Sequence, residues 1–308
     1  MTPLPLIDLA VDTPQAQAQR IDAALRETGF FAVTQHGVPA ALIDAAFDAG
    51  HRFFALPEDV KQRWHIDRWP LRRGFDPIGW QALDPTQPPD VKESFYTGVE
   101  AIGPNQWPDE ALVPGFRNEA LVPGFRTAVD AYATAMEALA RRLMGLFEIA
   151  LALPRGHFDA FMRHPTGTTR LLHYPPQPVL AAPGQIGCGA HTDWGALTLL
   201  AQDDAGGLQV QTAGGWIDVP PTPGALIVNI GDMTQRWTND RWRSTMHRVI
   251  NKRSWRDRWS IAYFFDLDAD AAIVPLPSCV DADNPARYGP ITAGEHLAEM
   301  YRRTTVPA

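Results

Sequence analysis

The chain has 308 residues with 45% apolar and 20% charged side chains, enough for a globular protein with a substantial core. A formal net charge of −8 excludes general phosphate-backbone binding, and two cysteines, Cys188 and Cys279, exclude a disulfide framework or a multi-cysteine zinc site. No basic-then-apolar leader and no apolar run of roughly 18 residues is visible, so the expectation is a cytoplasmic protein, a monomer with no membrane or nucleic-acid partner.

In chain order, Thr13-Pro14 predicts a helix N-cap with proline at the first position, Ile21, Ala24 and Leu25 recur at helical spacing, and Gly29 stands where a terminating glycine belongs. Phe30–Val33 reads as a short strand. A second helix is predicted from Pro39 to about Leu56, a third from near Pro57, and a long one from Phe125 to Leu153, stopped by Pro154. The Pro- and Gly-rich stretch 69–108 reads as irregular, with one strand at Glu93–Thr97. ALVPGFR occurs twice, at 111–117 and 120–126. Copies nine residues apart point in opposite directions on a helix, so the first is predicted as a surface loop insertion and the second as the start of the long helix.

Beyond Pro165 the texture changes to short β runs: Thr169–Tyr174, Ala196–Ala201, Leu208–Gln211, Trp216–Val219, Ala225–Ile230, His247–Ile250 and Trp259–Phe265. Gly206-Gly207, Gly214-Gly215 and Pro223-Gly224 supply turns between them. Such spacing predicts a sandwich or barrel, with a jelly roll the first choice. The expected class is α+β: an N-terminal helical and mixed region over 1–164, a jelly-roll core over 165–268, and a C-terminal loop and helix over 269–308, the helix around Ala293–Tyr301.

His-x-Asp places both side chains on one face of an extended chain, as two metal ligands require. It occurs three times. His65–Asp67 and His157–Asp159 fall in helical surroundings and read as structural, Asp159 as a cap. His191–Asp193 lies between a glycine-rich loop and a strand, and His247 follows 54 residues later at the head of another strand. Two histidines and a carboxylate on a β scaffold are the ligand set of a mononuclear iron(II) centre with open positions for dioxygen, and they also suit a zinc hydrolase.

The segments GAHTDWGALTLL (189–200), VNIGDMTQRWTNDRWRSTMHRV (228–249) and RWSIAYFF (258–265) resemble the isopenicillin N synthase-like family of iron(II) oxygenases. LPLIDLA (4–10), TGFFAVTQHGVP (28–39), FFALPEDVK (53–61) and RLLHYPPQP (170–178) extend the resemblance over nearly the whole chain, in the family's order. It implies a double-stranded β-helix holding iron(II) on His191, Asp193 and His247, with 2-oxoglutarate and O2 as co-substrates and succinate and CO2 as products. A small organic substrate is hydroxylated, desaturated or cyclised. The resemblance further implies that Arg258, Ser260 and Tyr174 bind 2-oxoglutarate. Leu172-His173 stands where plant members carry Asn-Tyr, and His173 reads as structural. Family oxidases that use no 2-oxoglutarate share the Arg-x-Ser pair, so that reading stays open, as does a non-catalytic binding roll. Arg73, Phe75, Phe95, Trp194, Trp237 and Phe265 are the expected substrate-pocket residues. Arg72, Arg73 and Gly74, in the segment able to cover the mouth, suggest an acidic or aromatic substrate.

Overall fold

The computed structural model describes residues 4–84, 86–108, 121–176, 182, 184–251 and 255–304. Strand β1 (Leu6–Asp8) leads into α1 (Pro14–Glu27), which Thr13 caps by accepting the Ala16 N–H at 3.3 Å. α1 buries Ile21, Ala24 and Leu25, and its chain turns at Gly29, whose φ is 71°. A Cβ there would also lie 2.1 Å from the Arg243 carbonyl, so glycine is required twice over. β2 (Phe30–Thr34) follows, then α2 (Ala40–Phe54). The third predicted helix is a single turn, α3 (Glu58–Lys61), continued by two 3-10 turns.

Strands β3 (Gly74–Asp76) and β4 (Glu93–Gly98) precede the long α4 (Phe125–Ala150). The second ALVPGFR copy does open α4, with Phe125 sealed against Phe53, Phe95 and Trp107. The first copy lies outside the described residues. The remaining strands are β5 (Gly167–Tyr174), β6 (Cys188–His191), β7 (Leu197–Gln202), β8 (Leu208–Thr212), β9 (Gly215–Asp218) and β10 (Leu226–Ile230). A short α5 (Asp232–Trp237) separates them from β11 (His247–Val249) and β12 (Arg258–Phe265). A small hairpin of β13 (Ala272–Ile273) and β14 (Ile291–Thr292) carries α6 (Ala293–Thr304).

The major sheet runs β1-β2-β10-β7-β12-β5-β4-β3 and the minor one β6-β11-β8-β9. All pairings are antiparallel except β1 with β2. Four strands of the major sheet come from the region expected to be mainly helical, because β1, β2, β3 and β4 extend both edges of the roll. Side chains alternate across each strand, so the major sheet divides two cores. Leu171 of β5, Leu199 of β7, Val228 of β10 and Ile261 of β12 face α1, α2 and α4. Leu172, Leu200, Ile227 and Ala262, one residue out of phase, face the minor sheet. The helix-side core is aromatic at its centre: Phe53 meets Phe95 and Phe75 edge-on at 4.6 and 5.8 Å. Among the described residues no helix is long and apolar enough to cross a membrane, and both cysteines are buried free thiols.

Candidate metal centre

β6 ends on His191 and β11 begins on His247, and the two residues sit opposite each other in the ladder. Cross-strand partners share a face, so the imidazoles meet with ring centres 4.2 Å apart. Asp193, two residues beyond His191, brings its carboxylate to the same point: Oδ1 lies 4.0 Å from His191 Nε2 and 3.7 Å from His247 Nε2. Among the described residues this is the one group of three His, Cys, Asp or Glu able to hold a metal ion. His65 accepts the Asp67 N–H instead, and His157 packs on Phe158 and Phe161.

Each donor is oriented from behind. His191 Nδ1 donates to the Gly189 carbonyl at 2.8 Å and His247 Nδ1 to the Thr245 carbonyl at 3.0 Å. A carbonyl only accepts, so the ring proton sits on Nδ1 and the Nε2 lone pair faces the centre. Burial lowers the affinity of both rings for a second proton. It pushes His247 down to about 4, with His191 adding to the effect and Asp193 opposing it. Burial alone would raise Asp193. The two histidines, the Thr198 hydroxyl and the Asn229 amide outweigh that and hold it below the usual carboxylate range. Thr198 Oγ1 and Asn229 Nδ2 both donate to Oδ2 at 2.7 Å, which leaves Oδ1 turned to the histidines. Two neutral nitrogens and one anionic oxygen are a donor set that fits a divalent iron.

The loop behind Asp193 is clamped. Its carbonyl accepts the Asp232 N–H at 2.8 Å, and a Cβ on Gly231 would come 2.3 Å from the Gly195 carbonyl. On Gly195 it would come 1.7 Å from Asp266 Oδ1. At Gly231 the contact is with backbone and leaves room for glycine alone, and at Gly195 a Cβ would have to displace the Asp266 carboxylate.

On the same inner face, Arg258 and Ser260 alternate along β12, with Tyr174 opposite Arg258 on β5. The Arg258 guanidinium is sealed, 1% exposed, and lies 4.7 Å over the Tyr174 ring. It donates to the Gly206 carbonyl at 2.7 Å, the Ser260 hydroxyl at 3.1 Å and Gln202 Oε1 at 3.3 Å. All three are uncharged, and no described carboxylate pairs with this cation. Gln202 Nε2 beside it is a buried donor with no acceptor. Burial pushes the Tyr174 hydroxyl up to about 12, so it stays a neutral donor.

The expected substrate-pocket residues divide differently. Phe75, Phe95 and Phe265 are sealed in the helix-side core, and Trp237 packs on Phe158 and Phe161 there too. This corrects the reading of those four as pocket wall: Phe75, Phe95 and Phe265 are out of phase with Arg258 and its cross-strand neighbours, and Trp237 lies on α5 against the helix-side core. Arg73 is also reassigned, since its guanidinium binds the Val99 and Gly103 carbonyls and fixes the turn after β4. Arg72 pairs with Asp67 at 3.3 Å, so neither arginine supports an acidic substrate. Trp194 follows Asp193 directly and meets Tyr301 of α6 edge-on at 5.0 Å.

The residues in phase on the inner face are Asp76, Ser94, Tyr96, Arg170 and Phe264, none of them anticipated. Thr198, Asn229 and Gln202 were likewise missed, although strict alternation from Leu200 or Ile227 would have placed all three inward.

Residues 165–267 match the 2OG-Fe(II) oxygenase superfamily, and residues 4–110 match the non-haem dioxygenase in morphine synthesis N-terminal family. A 2-oxoglutarate-dependent dioxygenase of Monascus ruber is 38% identical over 331 residues, covering 98% of this chain and 94% of that protein. A 2-oxoglutarate-Fe(II) type oxidoreductase of Emericella nidulans is 36% identical over 302 residues, covering 93% and 84%. A full-length Neurospora crassa protein, solved in complex with alpha-KG, superposes with a TM-score of 0.87 at 30% identity, covering 98% of this chain and 96% of that one.

Proposed function

Because the chain belongs to the 2OG-Fe(II) oxygenase superfamily, we propose that His191, Asp193 and His247 hold its iron and that Arg258, Ser260 and Tyr174 bind 2-oxoglutarate. The enzyme is an iron(II)- and 2-oxoglutarate-dependent dioxygenase of a small organic substrate, and the zinc-hydrolase, binding-roll and oxidase readings give way to it. Iron and 2-oxoglutarate, when bound, supply the oxidising chemistry: dioxygen converts 2-oxoglutarate to succinate and CO2, and its second oxygen atom oxidises the substrate.

The observation that carries the assignment is the contrast between two buried charges. Asp193 is supported by Thr198 and Asn229 on one oxygen and faces two imidazole lone pairs with the other. Among the described residues Arg258 has only neutral acceptors, so a buried cation stands ready for an incoming anion. A planar guanidinium meets a carboxylate in a two-bond fork, and Ser260 and Tyr174 add neutral donors around it. The inner apolar side chains Leu172, Leu208, Val210 and Ala262 exclude water and strengthen these contacts.

Anaerobic addition of 2-oxoglutarate to the iron(II) protein is expected to produce a weak visible charge-transfer band, and aerobic turnover to release succinate. Absence of both overturns the site assignment.

A further inference from the structure

β6 is a four-residue edge strand that ends on His191, and its pairing with β11 is irregular just ahead of that residue. His247 pairs with His191 and Val249 with Cys188, so two steps along β11 answer to three along β6. The extra residue is a bulge at Gly189-Ala190, and it decides which face His191 presents. Were the strand to slip flat by one residue, the His191 side chain would turn away from His247 and Asp193.

The bulge is pinned from outside the sheet. The Gly189 N–H donates to Asp90 Oδ1 at 2.8 Å, and the Gly189 carbonyl accepts from His191 Nδ1 at 2.8 Å. Asp90 Oδ2 is bound by the Lys92 ammonium, and both side chains are sealed, 3% and 1% exposed. The Asp90 main chain is fixed as well. Its N–H donates to the Gln81 carbonyl at 2.9 Å, and its carbonyl accepts the Gly79 N–H at 3.2 Å. The neighbouring Val91 N–H donates to the Ile186 carbonyl at 3.0 Å, so this segment runs along the edge of β6 that β11 leaves free. A Cβ on Gly189 would lie 2.8 Å from the Asp84 nitrogen and 3.2 Å from Asp90 Oδ1, so the fit admits no side chain there.

We propose that Asp90, oriented by Lys92, is a positioning residue for His191. It holds the bulge through the Gly189 N–H, and the Gly189 carbonyl then keeps the ring proton on Nδ1 and Nε2 turned to Asp193 and His247. A buried ion pair contributes little net stability, since well-packed apolar residues of similar volume often replace one without loss. Its use here is geometric. Without Asp90 the Gly189 N–H becomes a buried donor with no acceptor, and slipping into register with β11 is the way to satisfy it. Lys92 supplies the charge that lets a carboxylate be buried at that point. This role presupposes that His191 is an iron ligand.

The test begins with the full-length, metal-free protein labelled with 15N-histidine, where a long-range 15N correlation spectrum shows which ring nitrogen carries the proton. Wild-type His191 and His247 should both be Nδ1–H tautomers. Asp90→Leu combined with Lys92→Met should leave His247 unchanged, which also reports a folded interior, while His191 becomes a mixture of both tautomers. Iron(II) affinity in a metal-competition titration should fall roughly 10–100-fold. Asp90→Asn combined with Lys92→Met keeps an oxygen for the Gly189 N–H without either charge, and should restore the wild-type tautomer and an affinity within threefold. Gly189→Ala presses on the Asp84 backbone and Asp90 with the ion pair intact; it should reproduce the loss, and it stands in if the leucine variant does not fold. Unchanged tautomer and affinity in both disruptive variants, equal disturbance at His247, or no rescue by asparagine overturns the positioning role. Wild-type protein that binds no iron overturns the metal assignment beneath it, whatever the tautomers show.

Discussion

Replacing Arg258 by methionine separates the two contributions this side chain makes. In the protein without 2-oxoglutarate, the guanidinium is a sealed cation held by three hydrogen bonds to neutral oxygens. Its removal forfeits those bonds but also the desolvation of an uncompensated charge, so the fold should lose little, a few degrees in melting temperature at most. Once the co-substrate binds, the same cation faces a carboxylate with water excluded. Truncating one partner of such a pair typically costs about 2–5 kcal/mol. At about 1.4 kcal/mol per decade, the Kd for 2-oxoglutarate should rise by roughly 30-fold to several thousand-fold. Arg258→Lys, which keeps the charge but loses the planar fork, should fall between. The assay is anaerobic titration of the iron(II) protein, followed by calorimetry and by the visible band. A thermal arm checks it independently: 2-oxoglutarate at a hundred times the wild-type Kd adds about 2.7 kcal/mol of stability, which should fall to about 0.9 kcal/mol or less in the methionine variant at that concentration. A methionine variant that binds iron normally and 2-oxoglutarate within threefold of wild type would refute the anchor.

Alanine at His191, Asp193 or His247 should reduce iron-dependent succinate release to background, while His65→Ala and His157→Ala retain it; full activity in any of the first three removes that residue from the centre. Thr198→Val combined with Asn229→Leu strips both donors from Asp193 Oδ2 and should lower iron affinity by about 10–100-fold in a metal-competition titration; unchanged affinity would mean the carboxylate orients itself. Asp266 is pushed up to about 7 by burial; its bond from the Ala196 N–H opposes this and the Asp193 charge adds to it. Its folded form therefore holds a proton that the unfolded chain releases, so its contribution is most favourable in acid and declines as pH rises from about 4 to about 7. Asp266→Asn should flatten that part of the melting profile of the metal-free protein and stabilise it at pH 8; a variant less stable at pH 8 contradicts this.

The clustering of His191, Asp193 and His247 was legible because its signal is local and chemical. His191 and Asp193 declare a shared face by their spacing alone, and His247 heads a strand of its own. Seven strand runs were also legible to within a residue or two, since apolar alternation between glycine and proline turns is written into the chain. β1, β3 and β6 were not. Each is at most four residues long, too short to show a period. β6 is stabilised by what it pairs with: β11 opposite, and the buried Asp90, which accepts the Gly189 N–H from 99 residues away. Such tertiary partners leave no trace in four residues of sequence.

The substrate wall failed for a different reason. In a sheet covered on both faces, large apolar residues stand on both sides of every strand, so size and hydrophobicity say nothing about which side is which. β12 ends Phe264-Phe265, and only the count from Arg258 distinguishes them: 260, 262 and 264 face the interior, 259, 261, 263 and 265 the helices. The same count from Tyr174 turns Arg170 inward and Leu171 outward, and cross-strand register carries the phase to Ser94 and Tyr96 and on to Asp76. Once one functional residue on a strand is placed, alternation fixes the face of every other residue on it, and pairing passes that phase to the neighbouring strands.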